Sequence, residues 1–183
     1  MILNHHHLLA SFLKWLLLIM FAVRVLIAFF SYTGNTRSAA KQLASLLYNK
    51  EVEVDLEEIQ PTKRYHYLYW LFLSFIPNLR TPIKQPSADP SKYDLICLGL
   101  PKWTLACPPV NQYLEKVNLT GKTVGLFVTY GGFDERRYLK QMIKRLTKKS
   151  VKVKATLLLK RSWVKEGKIG EPLRRFCNAL LDL

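Results

Sequence analysis

Acidic side chains are scarce in this chain. Thirteen Asp and Glu face twenty-eight Lys and Arg in 183 residues, leaving a formal charge of +15. Such an excess favours an anionic counterpart: nucleic acid, an anionic membrane or an acidic protein. Cysteine is also sparse. Cys97, Cys107 and Cys177 are odd in number and have no Cys-x-x-Cys spacing, which excludes a disulfide framework and a zinc ribbon. Reduced thiols of this kind fit a cytoplasmic compartment. Of four histidines, His5-His6-His7 are adjacent and only His66 lies elsewhere, too local a set to close a metal site. There is no Gly-x-x-x-x-Gly-Lys-[Ser/Thr] and no Gly-x-Gly-x-x-Gly after a strand, so two common phosphate motifs are excluded. No internal repeat or low-complexity tract is present. The apolar stretch from Leu8 to Val23 is interrupted by Lys14, and the run from Trp15 to Val23 is too short to span a bilayer.

What is present is enough for a packed core. An apolar fraction of 49% and an aromatic fraction of 12% describe one globular domain, expected over residues 23–183. Residues 1–22 form an apolar N-terminal extension with three readings: a membrane-surface anchor, an extra packed helix, or a segment upstream of a functional start at Met20. The domain opens with Val25-Leu26-Ile27-Ala28-Phe29-Phe30, an apolar run that reads as a buried strand. It empties into Ser31-Tyr32-Thr33-Gly34-Asn35-Thr36. Arg37 to Tyr48 follows, with Ala39, Ala40, Leu43, Leu46 and Leu47 on one helical face. The first amides of a helix lack internal partners and its dipole favours negative charge there, so the turn has the chemistry of an anion site. Ser31, Thr33 and Thr36 add donors, and Gly34 lets the backbone curl closely. On local chemistry alone, a simple helix cap of Ser, Asn and Thr accounts for the same residues.

Further along, Glu51 to Ile59 alternates Val52, Val54 and Leu56 with acids, the period of a half-exposed strand near a sheet edge. Residues 61–90 break the rhythm. Tyr65 to Ile76 is a dense aromatic block flanked by Lys63-Arg64, Arg80 and Lys84, and Pro77, Pro82, Pro86 and Pro90 mark an extended return. A buried helix and an aromatic flap over a ligand or a membrane interface are both open readings. Tyr93 to Leu100 and Thr123 to Val128 read as buried strands, and Val151 to Leu159 as a fifth. Helices carry Val110, Tyr113, Leu114 and Val117, then Tyr138, Leu139, Met142, Ile143 and Leu146, then Leu173, Phe176, Cys177, Leu180 and Leu181 inward. Thr129-Tyr130-Gly131-Gly132-Phe133 is expected to be a glycine-rich turn. Strands alternating with helices imply an α/β fold with a parallel sheet covered on both faces.

Two motifs carry a resemblance. Ser-x-Thr-Gly-x-Thr directly after the first strand resembles the phosphate-binding loop of the flavodoxin family. Tyr93-Asp-x-Ile-x-x-Gly-x-Pro-x-Trp103, followed by Pro108-Pro109-Val110, resembles that family's third strand and flavin-side loop. The resemblance implies a flavodoxin-like three-layer sandwich with strand order 2-1-3-4-5 and FMN at the carboxyl edge of the sheet. Ser31, Tyr32, Thr33, Gly34, Asn35 and Thr36 would hold the phosphate. Trp103 would stack on the ring, with Pro101 and Lys102 beside it, and Thr129, Tyr130, Gly131 and Gly132 would meet the pyrimidine edge. The chemistry implied is electron transfer or flavin-dependent reduction, a quinone being one acceptor, with no separate catalytic residues and no metal. The expected counterparts are an acidic redox partner protein and an anionic membrane surface; nucleic acid is disfavoured because no reading motif accompanies the charge. The chain departs from the family's pattern in its positive charge and in having no glycine in the loop beside the presumed N5 position. The alternative is a flavodoxin-like module without FMN that binds a membrane or acidic partner through its basic, aromatic surface.

Overall fold

The computed structural model describes residues 23–182, so the N-terminal extension lies outside the described residues. The chain runs β1 (Arg24–Phe29), α1 (Asn35–Tyr48), β2 (Glu53–Glu58), α2 (Tyr67–Leu73), a 3-10 turn (Pro90–Lys92), β3 (Leu95–Pro101), α3 (Pro108–Lys116), β4 (Thr123–Tyr130), α4 (Glu135–Lys148), β5 (Lys152–Lys160), α5 (Arg161–Lys165) and α6 (Gly170–Leu181). All strand pairs are parallel, in the order β2-β1-β3-β4-β5. This is the doubly wound flavodoxin-like arrangement, in which the strand order reverses between β1 and β3.

The period of two along β1 divides the core. Val25, Ile27 and Phe29 face α1 and α6, where they meet Ala39, Leu43, Leu47, Leu173, Phe176 and Cys177. Leu26, Ala28 and Phe30 face the other layer, where Val110, Tyr113 and Leu114 of α3 pack with Tyr138, Met142 and Leu146 of α4. Both faces of β1, β3 and β4 are covered, and their sequences are accordingly continuous apolar runs. Each fully buried leucine such as Leu26 contributes about 1.5–3 kcal/mol relative to exposure.

The structure departs from the sequence expectation at element ends and at one edge. The amphipathic helix begins at Asn35, so part of the hydroxyl-rich turn is already helical. Thr129 and Tyr130, expected in a turn, are strand residues, because Thr129 still pairs with Pro101 of β3 and Tyr130 with Lys160 of β5. The short helix α5 has no counterpart in the sequence reading. At edge strand β2, Val54 and the preceding Val52 pack toward α1, but Leu56 is 47% exposed and Glu57 is buried instead. The Glu57 carboxylate accepts hydrogen bonds from the Ser87 amide at 3.2 Å, the Ala88 amide at 3.0 Å and the Ser87 hydroxyl. A carboxylate takes so buried a place only when donors surround it.

Those donors belong to the insertion that begins after β2. Pro61 and Ile83 form an antiparallel bridge at its base, with the Thr62 amide bonded to the Pro82 carbonyl at 3.0 Å and the Lys84 amide to the Gln60 carbonyl at 2.7 Å. Within this closed loop, α2 is a helix of seven residues of which only Trp70 is buried. Among the described residues, no helix is long and apolar enough to cross a membrane.

Candidate functional site

The carboxyl edge of the sheet gathers the turn after β1, the loop after β3 and the end of β4. At the turn, Gly34 has φ of +88° and serves as the N-cap of α1 with no side chain of its own to close the helix end. A side chain there would be strained. No carboxylate lies in the first turn of the helix, so its free amides and dipole are not already answered. Asn35 Nδ2 donates to Thr33 Oγ1 at 2.9 Å and shapes the turn. Ser31 is buried and, among the described residues, its Oγ has no hydrogen-bond partner. A buried hydroxyl without a partner costs about 1–3 kcal/mol, and an anion at the turn would satisfy it. Buried Thr81, Tyr113 and Tyr138 hydroxyls also lack partners, but none of them lies in the turn.

Thr129 ties the three segments together. Its Oγ1 is 2.8 Å from Thr36 Oγ1, a contact between buried side chains that joins the start of α1 to β4. Its carbonyl accepts the Lys102 amide at 2.8 Å and so holds the loop after β3. These bonds bring Thr36, Lys102 and Thr129, expected at the site from the sequence, onto one frame.

Trp103 is half-buried in an aromatic cluster. Phe30 and Tyr32 approach it edge-on, with ring centroids at 5.6 and 6.3 Å, and Trp70 of α2 lies at 5.8 Å with the planes 35° apart. Its surroundings are therefore richer than a lone ring in a loop, because α2 folds back over the ends of β1 and β3. Tyr32 also donates to the Tyr65 carbonyl at 3.3 Å, joining the turn to the insertion. On the far side, Gly131 and Gly132 are exposed, and Tyr130 is half-buried, which raises its phenol pKa. The Arg161 guanidinium of α5 lies against Gly131, where a Cβ would meet it at 1.9 Å. Nothing in the sequence placed Arg161 at this edge, since its position depends on how β5 ends. Lys102 Nζ is 5.7 Å from the centroid of the exposed Phe133 ring.

Charge at the turn comes from elsewhere in the chain. Arg37, the cation nearest in sequence, is held by Glu58 of β2, with Nε to Oε2 at 3.0 Å, and this hydrogen bond raises its pKa. Beside Ser31 a cleft of about 440 Å³ is lined by Tyr32, Arg37, Glu58, Arg64, Trp70 and Lys84. Arg64 and Lys84, from the two flanks of the insertion, thus face the same cleft as the unpartnered hydroxyl. The donor set of hydroxyls, helix amides and nearby cations fits a phosphate monoester.

Burial pushes the Cys107 thiol up to about 12 and raises Cys97 further, so neither forms a thiolate near neutrality. Among the described residues, no three His, Cys, Asp or Glu side chains come together to hold a metal ion.

Comparison with known proteins places this edge in context. A family model described as Flavodoxin matches residues 76–169, just over half of the chain, beginning after the phosphate-type turn. An uncharacterized protein of Archaeoglobus fulgidus is 38% identical over 139 residues, covering 76% of this chain and 87% of its own length. Among solved structures, a candidate flavoprotein from Bacteroides eggerthii has 27% identity and a TM-score of 0.63 over 79% of this chain and 94% of its own. The oxidised flavodoxin 2 of Bacillus cereus has 21% identity and a TM-score of 0.60 over 87% of this chain and 99% of its own, a likeness of fold.

Proposed function

The chain belongs to the flavodoxin family, and on that premise we propose that it binds FMN at the carboxyl edge of its sheet and acts in electron transfer. The observation that carries this reading is the buried, unpartnered Ser31 Oγ at the mouth of a helix whose first turn holds no acid. Bound FMN would supply the redox chemistry, with the protein providing orientation and electrostatics. Ser31, Thr33 and Thr36 would donate to phosphate oxygens together with the amides after Gly34. Arg64 and Lys84 would add the positive charge that the turn lacks. Trp103 would present its open part to the ring, and Tyr130, Gly131 and Gly132 would border the opposite edge, where Arg161 adds a cation. Flavin-dependent reduction of a small acceptor such as a quinone is the finer form of the same proposal. The charge of +15 favours an acidic redox partner.

The test is a spectrum. Purified protein, or protein reconstituted with FMN and desalted, is expected to show bound flavin absorbance and quenched flavin fluorescence. A protein that stays colourless after reconstitution would overturn the proposal.

A further inference from the structure

Helix α2 is turned inside out relative to an ordinary surface helix. Trp70 and Ser74, four residues apart, face inward and are buried. Leu68, Phe72, Phe75 and Ile76 form the outward stripe, and Phe72 is 67% exposed. The stripe is firmly held. The Ser74 carbonyl accepts the amides of Leu105 and Ala106 at 3.0 and 2.9 Å, and Ser74 Oγ pairs with Thr104 Oγ1 at 2.7 Å. Leu105, whose amide bonds to Ser74, is also exposed, and Phe133 in the loop after β4 is 86% exposed. Soluble proteins rarely keep so continuous an apolar face in water without a partner.

The charges that flank it along the chain share one sign. From Ile59 to Ala88 there is no Asp or Glu, while Lys63, Arg64, Arg80 and Lys84 flank the stripe. A groove of about 480 Å³ has Pro77, Asn78 and Leu105 on one side and Arg137, Lys144 and Lys148 of α4 on the other, so the basic helix borders the apolar face directly. Among the described residues, Arg137 and Arg145 are the α4 cations with a carboxylate partner. Arg136, Lys140, Lys144 and Lys148 are exposed and have none.

We propose that this edge, with α2 at its centre and α4 at its border, docks on the surface of an anionic lipid bilayer. Leu68, Phe72, Phe75 and Ile76 would enter the boundary between headgroups and acyl chains. The exposed Arg136, Lys140, Lys144 and Lys148 of α4 would meet lipid phosphates, each layer of the protein face matching a layer of the membrane. Tyr65, Tyr67 and Tyr69 belong to the residue type that favours that boundary. An acidic protein surface would answer the cations and leave the apolar stripe unmatched. Docking is peripheral and does not depend on FMN.

Vesicle sedimentation of the full chain tests this. The protein is expected to pellet with phosphatidylcholine vesicles containing about 30 mol% phosphatidylglycerol, and salt is expected to weaken the binding. The double variant Phe72→Ser/Phe75→Ser should weaken binding at least about tenfold, because each exposed ring contributes buried apolar area. Lys144→Glu/Lys148→Glu should do the same without touching the apolar stripe, and both variants should melt as the parent does. The proposal is overturned if either folded variant binds like the parent, since residues outside this edge would then hold the membrane. Equal, salt-insensitive binding to pure phosphatidylcholine would also overturn it. So would a parent that binds no vesicles and forms a dimer that Phe72→Ser/Phe75→Ser converts to a monomer, because a second copy would then be the occupant.

Discussion

The turn Ser31–Thr36 and helix α2 share one edge of the sheet and break opposite rules of burial. Among the described residues, the turn buries a hydroxyl that nothing satisfies, whereas α2 exposes a stripe of large apolar side chains that nothing covers. Each local choice is costly in the isolated chain, and folded proteins keep such conflicts where a ligand or surface resolves them. The difference between the two lies in what would resolve them. A buried unpartnered donor calls for a small anion with directional bonds, while an exposed apolar stripe ringed by cations calls for an extended, two-layered surface. The two regions are physically joined, because Tyr32 of the turn bonds to Tyr65 and Trp70 of α2 packs on Phe30 and Trp103.

The sharpest way to break the comparison is to cut that joint. Trp70→Ala removes a fully buried indole from between Phe30, Tyr65 and Trp103, and is expected to destabilise the fold by about 3–5 kcal/mol in urea denaturation. A loss under about 1 kcal/mol would show that the insertion opens without the core and that the two regions are independent. Glu57→Gln comes next. It keeps the shape but removes the charge that gathers Ser87 and Ala88, and should cost about 1.5–3 kcal/mol by the same assay. An unchanged stability would mean that the return of the insertion is held by its Pro61–Ile83 bridge alone. Ser31→Ala should have the smallest effect on the fold and the most telling sign. Without ligand it is expected to be neutral or to raise stability slightly, since an unpartnered buried hydroxyl is lost. With FMN it should weaken binding about tenfold, read by fluorescence titration, because a hydrogen bond of about 1–1.5 kcal/mol is removed. Equal affinity for parent and variant would remove Ser31 from the phosphate site.

How far these features could be read beforehand follows from the range of the interactions that make them. β1, β3 and β4 were legible because strands buried on both faces are continuous apolar runs. The turn was legible because its glycine, its hydroxyls and the helix it opens are neighbours in the chain. Edge strand β2 was misread at Leu56 and Glu57, since the donors that bury Glu57 lie thirty and thirty-one residues away. Thr129 and Tyr130 were placed one element too late, because their strand pairing depends on where β3 and β5 run out. The place of Arg161 is hidden from the sequence for the same kind of reason, since it depends on where β5 ends.

By itself, then, the sequence determined the α/β layering, the buried strands and the chemistry of the turn after β1, all of which rest on periodicity and on contacts within a few residues. Only the tertiary structure decided which face of the aromatic block is buried, that Arg37 is taken by Glu58 while Arg64 and Lys84 face the cleft beside Ser31, and that α4 borders the Pro77–Asn78 segment after α2. Those facts depend on where distant segments meet once the sheet has formed. No pattern along the chain records that meeting, because the hydrogen bonds and packing contacts that set it join residues tens of positions apart.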